Sequence, residues 1–200
     1  MPSYCALTLF TLSDPQPDDL RINPTALVGF GLLLAERDET RWQFERVADV
    51  ALANESEALL AAHLADRLPL VDHMVGWQIE RDIVDPLLII AERLPATERH
   101  FLLSRLARTI TGSAIDLAIG FGGPRAPPFA EIAGKRPIVE HVISKDWLEA
   151  HWRGCDADAL RTGLANEARG LWRAFLANAP QAVCDGAMAA TNNWLARGVK

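Results

Sequence analysis

Hydrophobic positions early in the chain follow strand spacing. Tyr4 to Leu12 alternates loosely between apolar and polar residues, and Ser13-Asp14-Pro15-Gln16-Pro17-Asp18-Asp19 ends it as a turn-rich polar loop. Ala26 to Glu36 is a nearly unbroken apolar run. Arg37-Asp38-Glu39-Thr40 reads as a hairpin connection into Arg41 to Val47, where Trp42, Phe44 and Arg46 share one side. The period then changes to that of helices. Asn54 is placed to cap a helix running to about Arg67, with Leu59, Leu60, His63 and Leu64 on one face, and Leu68-Pro69 ends it. Leu70 to Trp77 reads as a buried strand. Ile79 to Leu94 reads as a helix that accepts Pro86 only with a kink or a fresh start, because proline donates no backbone N–H. Further helices are expected over Ala96 to Thr109, Phe129 to Gly134, Lys145 to Arg153, Asp156 to Asn178 and Gln181 to Arg197. A short strand is expected over Ala114 to Ile119 and a Gly/Pro-rich loop over Gly120 to Pro128.

Three antiparallel strands followed by strands interleaved with helices predict an α/β protein with a mixed sheet covered on both faces. Its 200 residues suit one domain over 1–200, with 179–200 as a helical extension at the C-terminal end. Half the residues are hydrophobic and no apolar run reaches the roughly 20 residues of a membrane span, so a soluble, cytoplasmic protein is expected. No signal-peptide pattern opens the chain. Cys5, Cys155 and Cys184 are widely spaced and form no Cys-x-x-Cys pair, which favours buried thiols over a zinc or dithiol site. The net charge of −6 argues against a broad basic surface for duplex nucleic acid. It leaves a nuclease open, since bound metal ions bring their own positive charge.

Short motifs add a family resemblance. Cys155-Asp156-Ala157-Asp158-Ala159-Leu160-Arg161-Thr162 resembles the last motif of DEDD-type 3′–5′ exonucleases related to the proofreading domain of family B DNA polymerases. That motif reads roughly Tyr-Cys-Glu-x-Asp-Val-Leu-Asn-Thr, and Leu171-Trp172-Arg173-Ala174-Phe175-Leu176 looks like its helical continuation. Met74-Val75-Gly76-Trp77-Gln78 followed by Asp85-Pro86-Leu87-Leu88 resembles the second motif. Ile115-Asp116-Leu117 is similar to the next strand, and Phe129 to Gly134 to the short helix after it. The resemblance implies a ribonuclease H-like fold over most of residues 4 to 178. It also implies chemistry in which four carboxylates hold two divalent metals, Mg or Mn, and a Tyr or His serves the attacking water.

Most of those acids are absent. The first motif's two acids fall on Thr11 and Ser13, with Asp14 the nearest carboxylate, itself well suited to the turn before Pro15. The second motif's Asp falls on Val84, flanked by Asp82 and Asp85, which on a regular helix point away from it unless the register changes. The last motif's Asp falls on Asp158. The positions of the accompanying Tyr and His fall on Gly154 and Arg153. His151 and Asp156 keep the His-to-Asp spacing of the family's histidine branch, although Asp156 also suits a helix N-cap. The candidate catalytic residues are therefore Asp158 and His151. The candidate metal ligands of an active enzyme are Asp158, Asp156, Asp85, Asp82 and Asp14.

Other features carry less. Gly120-Phe121-Gly122-Gly123-Pro124 lacks the Lys-Ser/Thr of a phosphate-binding loop. His63 reads as a core histidine with a hydrogen-bond partner, and the tryptophans as packing residues before base-stacking ones. Arg161, Arg169 and Arg173 read as a solvated helix face before a phosphate track. The first expectation is an exonuclease-like scaffold without two-metal catalysis and without a cofactor, a pseudoenzyme whose partner is single-stranded nucleic acid. The second is an active 3′–5′ exonuclease using shifted carboxylates, and the third is an interaction domain for another protein.

Overall fold

The computed structural model describes residues 2–13, 25–39, 41–52, 55–68, 71–133, 143–180 and 186–197. Five strands form one mixed sheet in the order β3-β2-β1-β4-β5. They are β1 (Ser3–Ser13), β2 (Thr25–Arg37), β3 (Trp42–Val50), β4 (His73–Gly76) and β5 (Ala114–Asp116). The first three are antiparallel, in the register Leu7↔Leu32 and Leu33↔Arg46, whereas β4 runs parallel to β1 and β5 parallel to β4. With helices packed on both faces, this is the ribonuclease H-like α/β architecture.

Alternation along β1 sorts the two faces. Cys5 and Leu7 point into a core shared with α1 (Glu57–Arg67), α2 (Asp85–Arg93) and α3 (Ala96–Gly112). Tyr4 and Ala6 point to the other side, against α4 (Phe129–Ala133), α6 (Ala157–Asn178) and α7 (Ala187–Ala196). A third cluster lies between the β1–β3 sheet, α6 and α5 (Lys145–Arg153), where Phe10, Val28 and Val50 meet Leu148, Leu160 and Leu164. Gly29 and Gly31 in β2 allow α6 to lie directly on the sheet. A Cβ at Gly31 would meet the Leu164 backbone carbonyl, and one at Gly29 would sit 2.6 Å from Leu164 Cδ1.

Several local expectations are corrected. Ser56 caps α1 by accepting from the Leu59 N–H; Asn54, expected in that role, lies outside the described residues. The strand expected to reach Trp77 stops at Gly76, because Gln78 adopts φ 45° and turns the chain away from the sheet. Past Asp116 the backbone tightens into a 3₁₀ turn over Leu117–Phe121, begun by the Asp116 carboxylate accepting from the Ala118 N–H. The expectation of buried thiols holds for Cys5, whose pKa burial raises to about 12, but Cys155 is exposed and Cys184 lies outside the described residues. The hydrogen-bond partner expected for His63 is Asp49, at 2.7 Å. No helix among the described residues is long and apolar enough to cross a membrane.

Candidate functional site

The chain leaves β1 toward β2 and leaves β4 toward β5, so the order of connections reverses between β1 and β4. In open sheets with parallel strands, a crevice forms beyond the carboxyl ends of the strands at such a reversal. Here it is a cleft of about 340 Å³ walled by Thr8, Phe10 and Thr11 of β1, the turn after β4, the start of α5 and the middle of α6. Among the described residues its charged lining is Arg81, Asp82, Lys145 and Glu167.

Asp82, which lines the cleft, sits within an irregular helical turn. Glu80–Val84 forms a π-turn in which the Asp85 N–H bonds to the Glu80 carbonyl, adding a residue to the turn ahead of Pro86. Pro86 then opens α2 in its first turn, where a missing N–H does no harm. This insertion supplies the register change that a regular helix could not. Val84, the expected acid position, packs against the core instead, Asp85 is exposed, and Asp82 lines the cleft. Arg81 forks onto both Asp82 oxygens, at 2.7 Å and 3.0 Å.

A scaffold behind the π-turn holds it in place. The Asp116 carboxylate accepts from the Gln78 N–H at 2.9 Å and the Ile79 N–H at 3.2 Å. Trp77 Nε1 donates to the Pro127 carbonyl at 3.1 Å, and Gln78 Nε2 to that of Ala126 at 2.8 Å. Three residues after β4 are thereby fixed before the chain reaches Arg81.

The second acid of the cleft, Glu167, is one the motifs did not indicate. It lies on the core-facing stripe of α6 formed by Leu160, Leu164, Ala168 and Leu171, at a position helical spacing assigns to an apolar side chain. An acid on that stripe was the available signal. Burial pushes its pKa up from 4.5 to about 7. The negative charge of Asp82 adds to the rise, and a hydrogen bond with Thr8 opposes it. Its carboxyl therefore holds its proton far more readily than an exposed glutamate.

Asp158, Asp156 and His151 lie elsewhere. Asp158 is fully exposed, 3.4 Å from Arg161 Nη1, and borders a separate open groove between α5 and α6. Nine residues of helix, about 13 Å at 1.5 Å per residue, separate it from Glu167. Asp156 caps α6, accepting from the Ala159 N–H at 3.1 Å. Its own N–H bonds back to the His151 carbonyl, while the Cys155 N–H bonds to that of Trp152, so Cys155 takes the left-handed position that ends α5. The Cys155–Asp158 segment is thus a helix-to-helix joint. His151 stacks on Trp147, with ring centroids 3.6 Å apart, and its Nδ1 lies 2.9 Å from the Trp147 carbonyl, so that nitrogen carries the proton. Asp14 lies outside the described residues, and of Ser13 only the strand backbone is described. Arg161, expected on a solvated face, also pairs with Asp49. Among the described residues no three His, Cys, Asp or Glu side chains converge as metal ligands do.

No family model, no curated protein and no solved structure matches this chain.

Proposed function

We propose that this protein is an exonuclease-like pseudoenzyme that has lost two-metal hydrolysis and binds single-stranded nucleic acid in the β1–α6 cleft. Two divalent ions about 3.5–4 Å apart need bridging carboxylates to offset about four positive charges. Among the described residues the cleft offers Asp82, whose two oxygens are both held by Arg81, and Glu167, which tends to keep its proton; Thr8 and Thr11 bring no charge. That donor set does not fit a pair of metals.

What carries the binding reading is the local charge. In a chain of net −6, the cleft presents two cations, Arg81 forked onto Asp82 and Lys145 4.0 Å from Glu149, beside a Glu167 that carries only a partial negative charge. Two backbone phosphates could pair with these cations while the strand lies along the cleft. Fluorescence anisotropy with a labelled oligothymidylate in EDTA tests this. Two phosphate contacts on a single strand predict a log–log salt slope of about −1.4. The double variant Arg81→Ala/Lys145→Ala should lose binding and with it that slope, and magnesium should produce no shortening of the strand. Salt-independent binding, or a double variant that binds as well as the parent, contradicts the reading.

The alternative is an active exonuclease using shifted acids. One observation favours it: Asp82 and Glu167 reach the same cleft from separate elements. Shortening of the strand with magnesium, abolished by Asp82→Asn, would select that alternative.

A further inference from the structure

On the other side of the Trp77 and Phe129 rings lies a second cavity, of about 520 Å³, between β5, the 3₁₀ turn after it, α4 and the last turns of α6. Its walls are mainly apolar: Trp77 contacts both Phe121 and Phe129, with ring centroids 5.3 Å and 5.2 Å apart, and Ile115 and Ile132 add to the surface. Ile119 stands at its lining 74% exposed, a large apolar side chain that nothing in the described fold covers. Concave sites of about 300–1,000 Å³ with apolar walls and few polar groups are the usual form of small-molecule sites.

Among the described residues one charge lies in that lining, and it has no counter-ion there. Asp116 Oδ1 accepts from the Gln78 and Ala118 N–H groups and Oδ2 from the Ile79 N–H. A carboxylate accepts about four hydrogen bonds, so one position on Oδ2 is left. Among the described residues none of the ion pairs reaches Asp116. A carboxylate beside aromatic walls, neutralised by no basic side chain among the described residues, complements a cation with an apolar body, and aromatic faces also attract ammonium groups.

We propose that this cavity binds a small amphipathic amine, its apolar body against Trp77, Phe121 and Phe129 and its ammonium group on Asp116. The proposal does not rest on the nucleic-acid reading, since neither Arg81 nor Lys145 lines this cavity, although Trp77 and Phe129 border both.

Calorimetric titration of the full chain with 4-phenylbutylamine, 4-phenylbutanol and 4-phenylbutyrate tests the assignment. The amine is expected to bind about tenfold tighter than the alcohol, the margin of one charge-assisted hydrogen bond, and the acid not at all. Asp116→Asn should bring the amine down to the alcohol's affinity. Ala177→Trp, at an exposed α6 position on the cavity lining, should block all binding without burdening the core, and it keeps the test intact if Asp116→Asn fails to fold. Equal affinity for all three probes, no binding of the amine, or full binding in Ala177→Trp would overturn the proposal. So would concentration-dependent self-association through this face with no amine bound.

Discussion

Glu167 determines much of the cleft's electrostatics, and its titration has a definite sign. Its folded pKa of about 7 lies above the ordinary 4.5, so the native state binds the proton more firmly than the unfolded chain does. The stabilisation this gives is fully present below about pH 4.5 and is lost as pH rises through 7. Glu167→Gln keeps a neutral partner for Thr8 and removes the charge. It should match the parent near pH 4.5 and exceed its stability by about 1–3 kcal/mol at pH 8, read from urea unfolding at both values. A difference that does not change with pH would contradict the assignment. At this scale the sequence was only partly legible. Asp82 stood among the candidates, but it sits in a π-turn that no residue pattern announces. Glu167 carries no motif of its own: the Cys155–Thr162 resemblance lies at the start of the same helix, its Asp158 about two and a half turns away. The motif's Asp156 is accounted for by a helix cap and its Cys155 by a left-handed helix end.

Among the elements, α6 ties the cleft to the sheet. Its closeness to β2 rests on Gly31, where any side chain would strike the Leu164 carbonyl. Gly31→Ala should therefore cost about 2–4 kcal/mol, because backbone and not a flexible side chain must move; chemical denaturation measures it. A neutral effect would mean that α6 sits farther from the sheet than described. At the β3 end a second tie joins three elements: Asp49 receives His63 of α1 and Arg161 of α6. Burial alone would raise the pKa of Asp49, yet hydrogen bonds from His63, the Val50 N–H and Arg161 hold it below 3.8. Its contribution is present above pH 3.8 and fades as acid protonates it below that value. Asp49→Asn should cost about 1–2 kcal/mol at pH 7 and show a smaller stability loss on acidification than the parent. The elements were the most legible level of the sequence. Strand alternation at Trp42 and Phe44, and helix spacing from Leu160 to Phe175, each name the face that is buried. Boundaries were missed where one backbone angle decides them, as at Gln78, or where a side chain starts a tighter turn, as at Asp116.

For the whole molecule, the order of strands creates a crevice between β1 and β4, and the residues lining it determine what enters. The fold was legible because three antiparallel strands followed by alternating helices and strands leave few sheets that bury every apolar face. The contents of the crevice were less legible, since its residues come from five separate segments of the chain and gain meaning only together. The account stands on one claim, that this crevice does not hold a pair of divalent metals. Isothermal titration of the protein with manganese at pH 7 tests it most directly. The expected result is no saturable heat at micromolar to submillimolar metal, and no difference between the parent and Asp82→Asn. Binding of two ions per chain with micromolar affinity, abolished by Asp82→Asn or Glu167→Gln, would contradict it.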